Sequence, residues 1–317
     1  MPFRVTSRFN IPTPVKTTRT YEELCNERAA EILRSVENDQ NTLYVLWSGG
    51  IDSTLVLVSL LKNATPSQKQ HIVVLMTEQS IEENPSFFRD HICGALSFDS
   101  TGMVPYMLGS RHVLLDGDGN DQLFGSDFMP GLIRIFGPSI IKKKYEREIL
   151  DTYFQSYGHH QADIDLCLKL LERLFAASPI HLPDVSAHAW WINFTTRWQS
   201  VYMRPLTWTA ERNASHITPE YLARRFYHFF QTEPFQLWSL NNTDLRIKDS
   251  WSSFKWICKD IIYQYTKDAD YRDNKLKKPS FFEMLHQGPC YNFIDDSLAL
   301  YRTVNIREYH IPSNDFI

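Results

Sequence analysis

The stretch "LYVLWSGGIDSTLVLVSLL", residues 43–61, joins an apolar strand to an apolar helix through a short polar turn. The turn, "SGGIDS" at 48–53, contains two serines, two glycines and an aspartate but no lysine. Glycines lack the Cβ atoms that keep a ligand away from the backbone. Successive N–H groups at the start of a helix attract anions. The stretch therefore predicts a strand, a turn that approaches a phosphate, and a helix.

The aspartate in this turn limits which kinds of phosphate-binding loop the turn can be. The absence of a lysine from 48–53 excludes the G-x-x-x-x-G-K-[ST] loop, and G-x-G-x-x-G is also absent. An acid inside an anion-binding turn makes sense if Mg²⁺ lies between Asp52 and the phosphates. The alternative is an ordinary Gly-Gly turn in which Asp52 and Ser53 cap the following helix.

Strands and helices alternate on both sides of this stretch. Apolar runs predict strands, and helical spacing predicts helices between them; in chain order these are strand 43–47, helix 53–62, strand 71–77, helix 85–95 and strand 112–116. Such alternation indicates an α/β fold with a parallel sheet and helices on both faces. From about residue 130 we expect no further strands and a mostly helical C-terminal half.

We therefore predict three regions. Residues 1–40 form an N-terminal arm and a helix over 21–36, which begins at a capping box of Thr20 and Glu23. Residues 41–130 form the α/β core, and residues 131–317 form a mostly helical region packed on it. The many tryptophans of this last region are expected to be core residues rather than stacking platforms for bases.

A second acidic turn follows the strand at 112–116. It reads "DGDGNDQLFG", residues 116–125, and contains Asp121. Ligands of open parallel sheets bind beyond the carboxyl ends of the strands, so both acidic turns are expected at one crevice, where Asp52 and Asp121 hold the same Mg²⁺. The alternatives are an ordinary acidic turn or a calcium loop, although the EF-hand spacing fails.

Composition excludes several classes of protein. The net charge of −4 gives no general attraction to nucleic acid or to anionic membranes. No apolar run is long enough to span a bilayer, and "MPFRVTSRFN" lacks the apolar region of a secretory signal. The five cysteines are widely scattered and form no C-x-x-C pair, which favours reduced thiols. We expect a cytoplasmic protein with no membrane partner.

The two turns resemble a known family. "SGGIDS" resembles the phosphate loop of the N-type ATP pyrophosphatases, also called the PP-loop family. "GDGNDQLFG" resembles the G-[DE]-G-x-D-E-x-F-G turn of its asparagine synthetase subgroup. "FKWICKDII", 254–262, and "YRDNKLKKPSF", 271–281, are similar to that subgroup's later lysine-bearing segments. The resemblance covers roughly 20–285 and implies a Rossmann-like sheet of the HUP type.

The resemblance also implies a role for each matching residue. ATP is expected to contact residues from the turns and strand ends, namely Leu46, Ser48, Gly49, Gly50, Asp52, Ser53, Met76 and Gly117. Mg²⁺ is expected on Asp52 and Asp121. Lys255 resembles the lysine that binds the phosphates, Lys278 the lysine that stabilises charge during acyl transfer, and Asp118 the acid that assists deprotonation of the amine. Lys275 and Lys277 compete with Lys278 for its role.

The implied activity is an ATP-dependent, AMP- and pyrophosphate-forming amide ligase acting on a small-molecule or peptide carboxylate. We expect no glutaminase domain, because only about 40 residues precede the phosphate loop. Nitrogen would come from ammonia, a separate glutaminase chain or a substrate amine. The alternatives are an enzyme that adenylates a nucleobase, as the tRNA thiolases do, and a nucleotide-binding protein without turnover.

Two departures from the family pattern stand out. Gln122 replaces the glutamate that follows the metal aspartate. The E-x-R-x-P-F-L-D segment is absent, and its nearest counterparts are "SHITPEYLARRF", 215–226, and "MRPL", 203–206. Since that segment shapes the acceptor pocket, we do not expect aspartate as the substrate.

Overall fold

The computed structural model describes residues 10–125, 127–209, 215–275, 290–291 and 304–305. The chain forms two compact units, and each unit is assembled from separate stretches of sequence. The first, which we call the sheet unit, contains the described residues of 20–118, of 202–230 and from 257 onward. The second, the helical unit, contains the described residues up to 19, of 119–201 and of 231–256.

A parallel sheet of five strands forms the centre of the sheet unit. Its strands are β1 (Leu43–Leu46), β2 (Ile72–Met76), β3 (Ser97–Ser100), β4 (Val113–Asp116) and β5 (Phe226–His228). Two further short strands, β6 (Cys290–Tyr291) and β7 (Val304–Asn305), are antiparallel to each other. The sheet order is β3-β2-β1-β4-β5, and β6 pairs with β7 in a separate two-stranded sheet. Because β1 pairs with β2 on one side and with β4 on the other, the strand order reverses there, which is where open α/β sheets bind ligands.

Helices lie between these strands and before and after them in the described chain. In chain order they are α1 (Tyr21–Asn38), α2 (Ile51–Asn63), α3 (Pro66–Lys69), α4 (Glu78–Glu83), α5 (Pro85–Phe87), α6 (Val104–Met107), α7 (Asn120–Phe124), α8 (Met129–Phe136), α9 (Arg147–Ser156), α10 (Gln161–Ala176), α11 (Val185–Thr196), α12 (Trp198–Tyr202), α13 (Arg204–Trp208), α14 (Pro219–Arg225), α15 (Glu233–Asn241), α16 (Trp256–Thr266) and α17 (Ala269–Asn274). Shorter turns are a π-helix, Phe88–Ile92, and 3₁₀ turns at Thr101–Met103, Pro138–Lys142, Thr243–Leu245 and Trp251–Ser253. The α/β prediction is confirmed.

The strand predictions were right at three places and incomplete at two. β1, β2 and β4 lie where the apolar runs predict them. β3, with the sequence "SFDS", is a polar strand at the edge of the sheet and carries no apolar run. β5 corrects the expectation that strands cease beyond about residue 130. Three residues are too short to show a period of two, so the sequence around β5 gives no strand signal.

Helix α1 begins at the predicted capping box. The Thr20 hydroxyl accepts a hydrogen bond from the Glu23 N–H at 3.2 Å, and the Glu23 carboxylate accepts one from the Thr20 N–H at 2.7 Å. These reciprocal bonds satisfy two backbone donors that a helix start leaves unpaired. The helix buries one face, which includes Cys25 and Ile32, and packs against α2.

Both faces of the sheet are buried. Side chains of β1, β2, β4 and β5 on one face, among them Leu75 and Leu114, pack in a cluster with α6 and with Leu222 of α14. Strand side chains alternate between faces, so Leu43 and Val45 point to the other face, where they are also buried. A sheet buried on both sides explains why the strands read as continuous apolar runs.

The helical unit has an aromatic core. Trp190, Trp191, Trp198 and Trp238 are all buried, as expected of core residues. The Trp190 indole donates to the Leu123 carbonyl at 3.0 Å and to the Ser239 hydroxyl at 3.2 Å. Such buried aromatic rings bury large areas, and their N–H groups need partners, which these bonds supply.

Two further expectations can be compared with the described chain. Cys25, Cys93, Cys167 and Cys258 are free thiols, as predicted. Within the ranges that the structure describes, no helix has both the length and the apolar character needed to cross a bilayer.

We predict that Leu57→Ala lowers the free energy of unfolding by about 2–5 kcal/mol, because it removes buried methyl groups and leaves a cavity. Leu57 lies in α2 and is fully buried. Urea unfolding followed by circular dichroism measures the change. Leu166→Ala is the matched control, since Leu166 lies in α10 and is 60% exposed; it should change stability by no more than about 0.5 kcal/mol. Equal effects of the two substitutions would contradict the burial pattern.

Candidate functional site

The turn after β1 is organised by its two serine side chains. The Ser53 hydroxyl accepts a hydrogen bond from the Ser48 N–H at 3.1 Å and lies 3.0 Å from the Ser48 hydroxyl. The Ser48 hydroxyl also accepts from the Gly50 N–H at 3.3 Å. Gly50 is the N-cap of α2 and has no side chain to accept a bond from the first turn. A helix start of this kind leaves backbone donors available to an anion.

Glycine is required at position 49. Its φ is +75°, a left-handed conformation that side-chain-bearing residues rarely adopt. A Cβ there would lie 2.3 Å from the Ser80 carbonyl oxygen and 2.8 Å from the Glu83 Cβ. The loop therefore packs its backbone directly against α4, at the end of β2.

The turns after β1 and β4 meet at Gly117. A Cβ on Gly117 would lie 3.1 Å from the Asp52 carbonyl carbon and from the Ser53 nitrogen. The sequence analysis expected both turns at one edge of the sheet, and the sheet unit brings these two segments together. Leu46 and Met76 end the neighbouring strands β1 and β2.

Asp118 is held by an arginine. The Arg204 guanidinium donates to both carboxylate oxygens of Asp118, at 2.7 and 2.9 Å. The Asp118 side chain is 25% exposed and that of Arg204 is 35% exposed, so the pair faces partly into solvent. Arg204 belongs to the "MRPL" segment that the sequence analysis named as one counterpart of the missing family segment.

A buried histidine–aspartate pair lies behind Asp118. The β4–β5 pairing sets Asp116 opposite His228, and the His228 Nδ1 atom lies 3.0 Å from both Asp116 carboxylate oxygens. Asp116 also accepts from the Asp118 N–H at 3.2 Å. Burial disfavours a charge on His228, but Asp116 and then Asp118 outweigh it, so the pKa of His228 lies above its ordinary value.

The same surroundings disfavour the charged form of Asp118. Burial and then the adjacent Asp116 raise the pKa of Asp118 to about 7, although Arg204 and His228 lower it in part. An acid with a pKa near neutrality can accept or release a proton at physiological pH. The sequence analysis missed His228, because a single histidine in the apolar run "FYHFF" carries no motif.

Asp121 and Lys255 form an ion pair within the helical unit. The Lys255 Nζ atom lies 2.6 Å from the Asp121 carboxylate. The Lys255 side chain is almost wholly buried, and Lys255 has a φ of +57°. The left-handed region of φ is energetically unfavourable for a residue that has a side chain. The neighbouring Gln122 is buried, and its side-chain oxygen has no hydrogen-bond partner among the described residues.

Of the three competing lysines, Lys275 alone lies within the described residues. Its ammonium group bonds the carboxylate of Glu83 and lies 3.2 Å from the Glu83 carbonyl oxygen. Glu83 is also a residue that packs against Gly49. Lys277 and Lys278 lie outside the described residues, so Lys278 keeps its role as a prediction.

No protein-family model, no curated protein and no solved structure matches this chain. Within the described ranges there is also no group of three or more histidine, cysteine, aspartate or glutamate side chains arranged to hold a metal ion.

We predict that Gly49→Ala lowers the free energy of unfolding by about 2–4 kcal/mol, since it adds a clash with the Ser80 carbonyl to the cost of a left-handed alanine. Gly94→Ala is the matched control. Gly94 has nearly the same φ, +72°, but nothing lies within 4 Å of an added Cβ. The control should cost only about 1–2 kcal/mol in urea unfolding. Equal losses would show that position 49 has no close contact.

We predict that the Asp118 carboxyl titrates with a midpoint near 7, about three units above the usual aspartate value. Because this pKa is raised in the folded protein, the stability that protonated Asp118 contributes is lost as the pH rises from about 4 through 7. Carbon-13 NMR of the side-chain carboxyl measures the midpoint. Arg204→Met should move it higher, because the arginine favours the charged form. A midpoint below 5 in the unsubstituted protein would rule out the assignment.

Proposed function

We propose that the protein is an ATP-dependent amide ligase that forms AMP and pyrophosphate, built on a sheet of the HUP type. The observation that carries the proposal is the meeting of the β1 turn with the β4 turn at Gly117, at the point where the strand order reverses. Ligands of open α/β sheets bind at such points. The turn after β1 offers serine hydroxyls, a glycine in the left-handed conformation and an uncapped helix start there.

The proposed reaction has two steps. An oxygen of the substrate carboxylate attacks the α-phosphorus of ATP; the bond from this phosphorus to the bridging oxygen breaks, and pyrophosphate leaves from an acyl-adenylate. Ammonia or an amine then attacks the acyl carbon, AMP leaves, and the nitrogen loses a proton. We assign Asp118 to receive that proton, because its pKa of about 7 suits a base at neutral pH.

The residues present fit a nucleotide with a divalent cation. The hydroxyl groups of Ser48 and Ser53 and the uncapped backbone N–H groups in the first turn of α2 suit phosphate oxygens. Mg²⁺ is usually bound by one or two carboxylates together with substrate phosphates, and the proposal gives it Asp52 and Asp121. Bound Mg²⁺ would neutralise charge on the leaving pyrophosphate.

The remaining roles rest on the resemblance. Leu46, Met76 and Gly117 are assigned to the adenosine, and Lys255 to the phosphates. Lys278 is assigned to the oxyanion, where a single donor is worth about 3 kcal/mol. The acceptor would be a small-molecule or peptide carboxylate in the cytoplasm, with nitrogen from ammonia, a separate glutaminase chain or a substrate amine.

Pyrophosphate release tests the proposal. The purified protein is incubated with ATP and Mg²⁺, with a panel of carboxylates, and with and without ammonium; pyrophosphate and AMP are measured, and adenylated products are sought by mass spectrometry. Release that depends on a carboxylate supports an amide ligase. Release that depends on RNA would favour adenylation of a nucleobase, and ATP binding without any release would favour a nucleotide-binding protein.

We predict that Asp121→Ala lowers Mg²⁺-dependent pyrophosphate release by at least about 10³-fold, because the metal would lose one of its carboxylates. Because Asp121 also pairs with the buried Lys255, the substitution lowers stability as well, and far-ultraviolet circular dichroism at the assay temperature checks that the variant is still folded. Asp163→Ala is the matched control, since Asp163 is an exposed residue of α10, and it should retain full activity. Unchanged activity of Asp121→Ala would remove the metal assignment while leaving the reaction type open to the assay above.

A further inference from the structure

Helix α10 carries a row of exposed side chains on the side away from its buried residues. This row, which we call the α10 stripe, consists of Asp163, Leu166, Leu170 and Arg173. Successive members are three, four and three residues apart, which is the spacing of the a and d positions along one helix of a coiled coil. The spacing therefore gives α10 a second face that another helix could pack against.

The centre of the stripe is apolar. Leu166 and Leu170 are 60% and 56% exposed, and they lie one helical turn apart. Of the large hydrophobic side chains that are exposed within the described ranges, only these two share a helix. A single exposed apolar residue is ordinary, whereas adjacent ones on one face indicate a contact surface.

The other side of α10 is fixed to its own chain. Leu168 and Leu171 are buried there. Arg147 of α9 donates to the Asp165 carboxylate at 3.2 Å and to the Glu172 carboxylate at 2.5 Å. Because these contacts hold the helix in place, the stripe is presented to solvent on a preformed surface.

The two ends of the stripe carry opposite charges. Asp163 and Arg173 are ten residues apart, or about 15 Å along the helix axis. Neither side chain forms an ion pair with any residue that the structure describes. They differ in this from Asp165 and Glu172 of the same helix, whose carboxylates already have Arg147 as a partner. Both ends of the stripe are therefore open to a partner of opposite charge.

The stripe is complementary to a reversed copy of itself. Positions 166 and 170 lie equally far from position 168, and so do positions 163 and 173. A twofold axis at the level of residue 168 therefore sets Leu166 opposite the Leu170 of a second copy, and Asp163 opposite its Arg173. A parallel arrangement would set each charge against the same charge, which is unfavourable. The pattern thus favours an antiparallel pair.

We propose that the α10 stripe is a self-association surface, on which a second copy of this chain packs antiparallel. Leu166 and Leu170 of both copies form its apolar centre, and a pair of Asp163 with Arg173 closes each end. Lys169 flanks the stripe, and its long side chain can keep the ammonium group in water. The proposal is independent of the proposed function, because the stripe contains none of the residues assigned to ATP, metal or catalysis.

Sedimentation velocity of the full chain tests for association. Two leucines from each copy make a small interface, and small interfaces associate weakly. We expect a monomer at about 1 μM and a clear share of dimer at about 100 μM. The unfolding control Leu166→Ala belongs at the lower concentration, where the dimer adds nothing to stability.

Leu170→Glu should remove the dimer, because it puts a charge at the apolar centre. Since Leu170 is 56% exposed, this substitution should leave the chain folded, which circular dichroism checks. A chain that is monomeric at both concentrations overturns the proposal; that is the result expected if a different partner covers the stripe. A dimer that persists in Leu170→Glu overturns it as well.

Charge reversal tests the antiparallel pairing. Asp163→Arg sets arginine against Arg173, and Arg173→Asp sets aspartate against Asp163, so each variant alone should dimerise at least about tenfold more weakly. An equimolar mixture of the two variants should associate about as well as the unsubstituted chain, because opposite charges then meet at both ends. A mixture that associates no better than the separate variants overturns the proposed arrangement.

Lys144→Asp is the matched control. It also replaces an exposed cation by aspartate, but at a position outside α10. This variant should dimerise as the unsubstituted chain does. An equal loss of dimer in Lys144→Asp and in Arg173→Asp would show an effect of net charge alone and would overturn the pairing.

Discussion

The contact of the β4 turn with the start of α2 is the constraint on which the candidate site depends. The backbone of Gly117 lies so close to Asp52 and Ser53 that an added Cβ would be 3.1 Å from each, a tighter contact than side chains normally make. Gly49 likewise lies close to α4, in a conformation that other residues rarely adopt. Each contact joins two backbones, and backbones cannot yield as a flexible side chain would. The glycines therefore fix where the N–H groups of the turn after β1 lie.

Near this contact lie two ion pairs, one buried and the other partly exposed to solvent. Asp116 and His228 are buried together, whereas Asp118 and Arg204, next to them, keep part of their surface in solvent. A buried pair holds its geometry, and a partly exposed pair can exchange partners at lower cost. Asp118 is thus the member of the group whose protonation can change at the lowest cost, and the buried Asp116 accepts a hydrogen bond from its N–H. In the helical unit, the ion pair of Lys255 with Asp121 joins an almost wholly buried lysine to a partly exposed aspartate.

The sequence predicted those parts of the molecule that local patterns determine. The apolar runs of β1, β2 and β4, the capping box of α1 and the glycine turn each depend on a few neighbouring residues, so they could be found before the structure. β3 and β5 could not, since an edge strand and a strand of three residues carry too little apolar periodicity. The partnerships of His228 with Asp116 and of Arg204 with Asp118 join residues far apart in the chain, and only the pairing of β5 with β4 brings His228 to its partner.

The position of β5 late in the sequence has a consequence for biosynthesis. Asp116 and His228 are 112 residues apart in sequence. At common translation rates of about 5–20 residues per second, roughly 6–22 s pass after β4 is made before β5, its second neighbour in the sheet, has been made. During that interval one row of its backbone amides and carbonyls is open to pairing with any other extended chain. The nascent protein therefore carries this unpaired edge of β4 while the inserted segment is being translated, and a chaperone that covers the edge at that stage would protect it.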